Sequence, residues 1–155
     1  MKAIGLDVGD KTIGVAISDE LMLSAHGITT IQRVGIRKDA GVVIDYIRDY
    51  GCNTVVIGLP KKLDGSFSPQ TDKVVEFKNM LENKLRSSGM QNVAILFQDE
   101  RLTTVQAEKV LIEADVRREK RKEVIDKQAA VLILQGYLDR LYFERKNSPY
   151  EETKQ

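Results

Sequence analysis

Three carboxylate positions in this chain stand where a surface acid would not. Asp7 closes the apolar run Ala3-Ile4-Gly5-Leu6, where a strand wants a hydrophobe. Asp99 and Glu100 follow a second apolar run, VAILF at 93–97. Asp126 falls on a helical stripe with Ala129, Ala130, Ile133 and Tyr137, at i+3, i+4, i+7 and i+11. A carboxylate on a buried face is costly unless it is paired or metal-bound. Carboxylates gathered at one place repel, so a cation is their natural companion. Hard oxygen donors suit Mg2+ or Mn2+. The matching chemistry is phosphodiester hydrolysis, in which two divalent ions about 3.5–4 Å apart neutralise the phosphate and activate water. The spacing predicts Asp7 as the central ligand, with Glu100 and Asp126 each holding one side. Asp99 competes with Glu100 for its place.

Each acid also has a purely structural use. Asp7 opens an Asx turn, Glu100 pairs with Arg101 or caps the next helix, and Asp126 serves as an N-cap. Basic residues border the same acids. Arg117, Arg118, Lys120, Arg121 and Lys122 lie just ahead of Asp126, and Lys61 and Lys62 lie in the loop after TVVIGL. Such a rim fits a phosphate backbone, with Arg101 and either Thr103 or Thr104 as further contacts. Thr103 doubles as a capping residue, with Gln106 three positions on. No exposed aromatic pair is expected, hence little base readout. His26, the one histidine, falls in a strand and has no catalytic assignment; Cys52 reads as a small hydrophobe.

The elements that must position these groups follow from periodicity. Residues 2–7 and 12–18 read as a hairpin around a Gly-containing turn, and 26–33 as a third strand. Ile36, Ala40, Val43, Ile47 and Tyr50 recur at helical spacing, and Gly51 closes that helix. TVVIGL, 54–59, is a continuous apolar run suited to a strand covered on both faces. PKKLDGSFS, 60–68, is loop, and Ser68-Pro69 reads as N-cap and first position of a helix ending at Ser87-Ser88-Gly89. After the strand 93–97 comes a helix from Thr103. The charged stretch 115–123 breaks the pattern, and a last helix runs from about Val124 to Phe143. The order β-β-β-α-β-α-β-α-α predicts an α/β fold, a mixed five-stranded sheet with helices on both faces. Right-handed crossovers bring the ends of the first, fourth and fifth strands to one edge, where ligands bind.

With 155 residues and a net charge of +1, the chain suits a single domain over 1–143 with a polar tail at 144–155. The near-neutral charge means that any polyanion must be met locally rather than by bulk attraction. Neither a membrane span nor a secretory leader is expected. A lone cysteine excludes an internal disulfide. A cytoplasmic location is the expectation.

GLDVGDKTIGVAISD, VVIGLPKKLDGS, DERLTT and RREKRKEVIDKQAAVLILQGYLD stand in order over about residues 2–140, and together they resemble the YqgF family, also called the RuvX family. The resemblance implies an RNase H-like fold related to RuvC-type resolvases, with acidic positions at Asp7, Glu100 and Asp126. It implies a cytoplasmic nuclease with a proposed role at the 5′ end of the small-subunit ribosomal RNA precursor. Phe67-Ser68 departs from the family's usual pattern after Asp64-Gly65-Ser66. The expected partner is structured RNA or junction DNA, with a ribosome precursor among the former, and the chain acts as a monomer or a homodimer. Competing expectations are a Holliday junction resolvase in DNA recombination, a non-catalytic RNA-binding module, and an actin/Hsp70-type nucleotide-binding domain. The last needs a second lobe that one domain of this length lacks.

Overall fold

Alternation along the first strand decides which layer each side chain joins. In β1 (Ala3–Val8), Ile4, Leu6 and Val8 enter one hydrophobic core, and Ala3 enters another on the opposite face. The computed structural model describes residues 1–60, 66, 68–99 and 118–146, with the backbone alone over 118–127. β1 is followed by β2 (Thr12–Ser18), β3 (Ala25–Gln32), α1 (Ile36–Tyr50), β4 (Thr54–Leu59), α2 (Pro69–Ser87), β5 (Ala94–Asp99) and α3 (Arg118–Lys146). The strands form one sheet in the order β3-β2-β1-β4-β5. The first three pair antiparallel, and β1-β4-β5 pair parallel. The expected mixed five-stranded sheet is thus borne out, the first four strands to within one residue at each end and β5 running two residues past its expected end, to Asp99. The predicted helix from Thr103 lies outside the described residues.

α1 and α2 cover one face with Ala40, Val43, Ile47, Val74, Phe77, Leu81 and Leu85. α3 covers the other with Ala130, Ile133, Leu134 and Leu138. β4 is buried on both faces, as its unbroken apolar run requires: Val55 and Ile57 join the first core and Val56 the second. Gly51 ends α1 in the left-handed region at φ 66°, where only glycine is unstrained. Ser68 caps α2 through a box closed by Thr71, with Pro69 at its first position.

Three expectations need correction. α3 begins at Arg118, not near Val124, so residues 118–123 are helix rather than a break between helices. Arg, Lys and Glu are good helix formers, and a charged run can extend a helix into solvent. The helix also runs past Phe143 to Lys146, into the expected tail. On its buried stripe Tyr137 is only half-buried, and Leu134 and Leu138 take the deeper positions.

α3 approaches β1 closely because Gly5 lies beneath it. A Cβ at Gly5 would stand 2.7 Å from Leu134 Cβ and 3.1 Å from the Ala130 carbonyl oxygen. Gly5→Ala must therefore lift the helix from the sheet. Urea unfolding is expected to show a loss of about 1–3 kcal/mol, the usual cost of overpacking. An unchanged midpoint would mean that the helix sits more loosely than this contact requires.

Candidate active site

Asp7 lies inside β1, one residue before its end, on the face that carries Ala3 and Gly5 and looks toward α3. Its partner in β2 is Gly14. On the β4 side Leu6 pairs with Ile57, so the next residue of that strand is Gly58. Glycines therefore flank Asp7 on both neighbouring strands, and no side chain from either crowds it within the sheet. In the turn that follows, the Gly9 amide donates to the Thr12 carbonyl at 2.9 Å.

That turn is gripped from the α1/α2 side. Arg33 Nη1 donates to the Gly9 carbonyl at 2.9 Å, and its Nε donates to Asp39 Oδ2 at 3.0 Å. The Arg33 amide donates to the Lys11 carbonyl at 2.9 Å. Gln70 Nε2 reaches the Val8 carbonyl at 3.4 Å, and Lys73 pairs with Asp10 at 3.1 Å. The Asp39 side chain is 1% exposed and reaches back over the uncapped start of α1, accepting from the Val34 and Gly35 amides. Burial pushes its carboxyl up, but the Val34 amide, Arg33 and the Gly35 amide outweigh that and hold it below the usual 3.8.

The direction of α3 decides which of its residues stands over Asp7. At its C-terminal end, Tyr142, Arg145 and Lys146 share a hollow with Leu23 of the β2–β3 connection. Further back, Gln135 receives the Ala25 amide at 2.8 Å and donates to the Leu23 carbonyl at 2.9 Å. Ser18 at that same end accepts the Ala3 amide at 2.8 Å. Ala130 and Leu134 then meet Gly5. The helix thus runs antiparallel to β1. From Gly5 to Asp7 the strand rises about 7 Å. From Ala130 to Asp126 the helix rises about 6 Å. Gly5 lies against the Ala130 carbonyl and Leu134, so the Asp126 backbone, about 6–12 Å further along the helix, lies toward or beyond the Asp7 end of β1, over the same face. It is the ninth residue of α3, which removes the N-cap reading. The eight residues preceding it, Arg118, Lys120, Arg121 and Lys122 among them, carry the helix about 12 Å further.

Asp99 ends β5 opposite Leu59. It alternates with Ile95 and Phe97, which pack on the α1/α2 core, so it belongs to the face away from Asp7. Glu100, Arg101, Thr103, Thr104, Arg117, Lys61 and Lys62 lie outside the described residues. Among the described residues, no group of three or more acidic, histidine or cysteine side chains is placed to hold a metal. Those residues exclude Glu100 and the side chain of Asp126. The donor types still fit a hard divalent cation: a half-buried carboxylate with glycine on both sides, and acids rather than thiols or imidazoles. His26 is exposed and hydrogen-bonds Ser24 at 3.1 Å. Tyr46 and Tyr50 stack at 6.3 Å at the end of α1 that feeds the start of β4, with Tyr46 half-buried against the core. Sequence reading passed over Gly14, Gly58, Gln70, Arg33 and Asp39. Hairpin register marks Gly14, whereas the Arg33 contacts leave no local signal.

A family model described as "RuvX: Holliday junction resolvase" matches residues 1–140. The chain is 50% identical over 149 residues to a "Putative pre-16S rRNA nuclease" of Caldanaerobacter subterraneus subsp. tengcongensis, covering 96% of this chain and 100% of that protein. It is 47% identical over 142 residues to the protein of the same name from Clostridium tetani, covering 92% and 99%. Two solved structures share the fold. The yeast mitochondrial Holliday junction resolvase Ydc2 aligns with a TM-score of 0.60 at 10% identity, over 99% of this chain and 84% of its own. T. thermophilus RuvC in complex with Holliday junction substrate aligns at 0.56 and 13% identity, over 92% and 96%. The fold is that of the RuvC-type, RNase H-like resolvases, as the motifs implied.

Proposed function

This chain belongs to the RuvX family, and from that premise we propose that it is a metal-dependent nuclease acting on structured nucleic acid, with the small-subunit ribosomal RNA precursor as its substrate. The observation that supports the reading is the antiparallel course of α3 over β1, which carries the helix from its contact with Gly5 toward the Asp7 end of the strand, on the face that holds Asp7. Glu100 is the third acid.

Bound divalent cations would supply charge neutralisation and an activated water. The chain's own part is to hold and to orient. Asp7, Glu100 and Asp126 furnish the oxygen ligands, with Asp7 between the other two. Lys61, Lys62, Arg101, Thr103, Thr104 and Arg117 through Lys122 meet the phosphates on either side of the scissile bond. Arg118 and Lys122 stand two turns and one turn ahead of Asp126 on the same helix, so the substrate backbone follows α3 outward. The water oxygen bonds to phosphorus, the bridging P–O bond breaks, and the departing oxygen takes up a proton. A cytoplasmic location belongs to the same reading. Among the described residues no helix is long and apolar enough to cross a membrane, and the one cysteine is buried and free.

Titration with Mn2+ tests the metal directly. At a hundred times its dissociation constant, the ion is expected to stabilise the wild type by about 2.7 kcal/mol in thermal unfolding. No shift at millimolar Mn2+ would leave a non-catalytic RNA-binding module in its place. Cleavage of matched precursor RNA and four-way junction DNA decides the substrate. Symmetric junction cuts would favour the family model's description and would need two active sites in a dimer.

A further inference from the structure

We propose that Arg33, with Gln70 and Lys73, is a positioning device that fixes Asp7 by clamping the turn behind it; the proposal rests on the reading of Asp7 as a catalytic ligand. The need for a clamp arises from the sheet itself. The β1–β4 pairing runs only to Leu6–Ile57, while the β1–β2 pairing continues through Asp7–Gly14 to Val8–Ile13. Asp7 therefore sits where lateral support drops from two strands to one, just ahead of a turn, and strand ends of this kind open first. A metal ligand must be held more tightly than such an end holds itself, because catalysis needs its groups fixed before the substrate arrives.

The next four residues are each held by another element. The Val8 carbonyl takes Gln70, the Gly9 carbonyl takes the Arg33 guanidinium, Asp10 takes Lys73, and the Lys11 carbonyl takes the Arg33 amide. Arg33 is the strong member. Its side chain is 17% exposed, its Nε is anchored on the buried Asp39, and it lies over the Phe77 ring at 5.4 Å. Lys73 and Asp10 are both more than half exposed, and a surface pair of that kind adds little. The Gln70 and Lys73 contacts come from α2, and the Arg33 amide continues the β2–β3 ladder. A guanidinium is required because one planar fork serves Asp39 and the Gly9 carbonyl at once.

Arg33→Lys keeps a positive charge beside Asp39 and gives up the second prong; Gln70→Ala, on the first turn of α2, is a milder variant that keeps the buried pair. Two readouts are taken on each: amide hydrogen exchange over Val8–Lys11 without metal, and the Mn2+ concentration giving half-maximal cleavage. For Arg33→Lys, exchange in the turn is expected to rise while Ile4–Leu6 stays protected. The Mn2+ requirement is expected to rise about tenfold, the usual effect of losing a group that orients a ligand. Saturating Mn2+ is expected to restore most of the rate, and Gln70→Ala to shift both readouts the same way by less. A merely structural role would lower thermal stability and leave the metal requirement alone, and that result overturns the proposal. So does wild-type exchange in the turn of Arg33→Lys. If the wild type shows no Asp7-dependent cleavage, the nuclease reading fails, and turn exchange alone decides whether the clamp exists.

Discussion

Asp7→Asn is expected to reduce cleavage by at least about a hundredfold, the scale on which removal of one charge-stabilising group acts. The amide keeps the shape of the carboxylate and loses the charge that holds a divalent cation. Asp7 is half-buried, its strand neighbours on both sides are glycines, and an amide fills the same space as a carboxylate. The variant should therefore unfold within about 1 kcal/mol of the wild type, as substitutions away from packing features do. The stabilisation by Mn2+ should disappear with the activity. Cleavage at the wild-type rate, measured on the same substrate and at the same Mn2+ concentration, would remove Asp7 from the mechanism and the metal site with it.

Asp39→Ala should produce the largest loss of stability, about 3–5 kcal/mol, because it takes one partner from a buried ion pair and strands the other. Arg33 would lose its anchor, and the start of α1 would lose the acceptor of the Val34 and Gly35 amides, where Gly35 has no side chain to replace it. A lowering of Tm by roughly 10 °C is the corresponding figure for a domain of this size. Asp39→Asn separates charge from shape. The folded-state carboxyl titrates below its ordinary 3.8, so its contribution is present above that value and is lost as pH falls through the folded one. Stability of the wild type should drop on acidification below about pH 4, and this part of the slope should be absent in Asp39→Asn. Equal slopes would show that the pair does not hold the carboxyl down.

Gly5→Ala and Asp39→Ala act on opposite faces of β1, the first through the fit of α3 and the second through the turn. Neither replaces an acid of the proposed site, and both bear on where those acids stand. A combination of the two should add in stability, since the sites share no contacts.

Strand and helix positions were legible because each is written in a short window. AIGLD, TVVIGL and VAILF read as strands from their apolar runs. The third reads as buried like TVVIGL, but β5 lies at the edge of the sheet and its residues are half-buried or exposed. Ser68-Pro69 opens a helix through local hydrogen bonds, and Gly51 closes one through its own φ. The start of α3 was misread for an equally local reason. Residues 118–123 carry charge that predicts solvent, and solvent exposure does not distinguish a loop from a helix made of Arg, Lys and Glu.

The amino-acid sequence by itself determined the five strands and a mixed sheet with helices on both faces, since these follow from periodicity and residue type, and it supplied the acids proposed for the site. Tertiary structure alone decided the rest. The antiparallel course of α3 over Gly5 points the start of that helix toward the Asp7 end of β1, and Arg33 reaches from the end of β3 to the Gly9 carbonyl and to Asp39. Such contacts join residues distant along the chain, and their geometry comes from packing whole elements together, for which no local pattern exists.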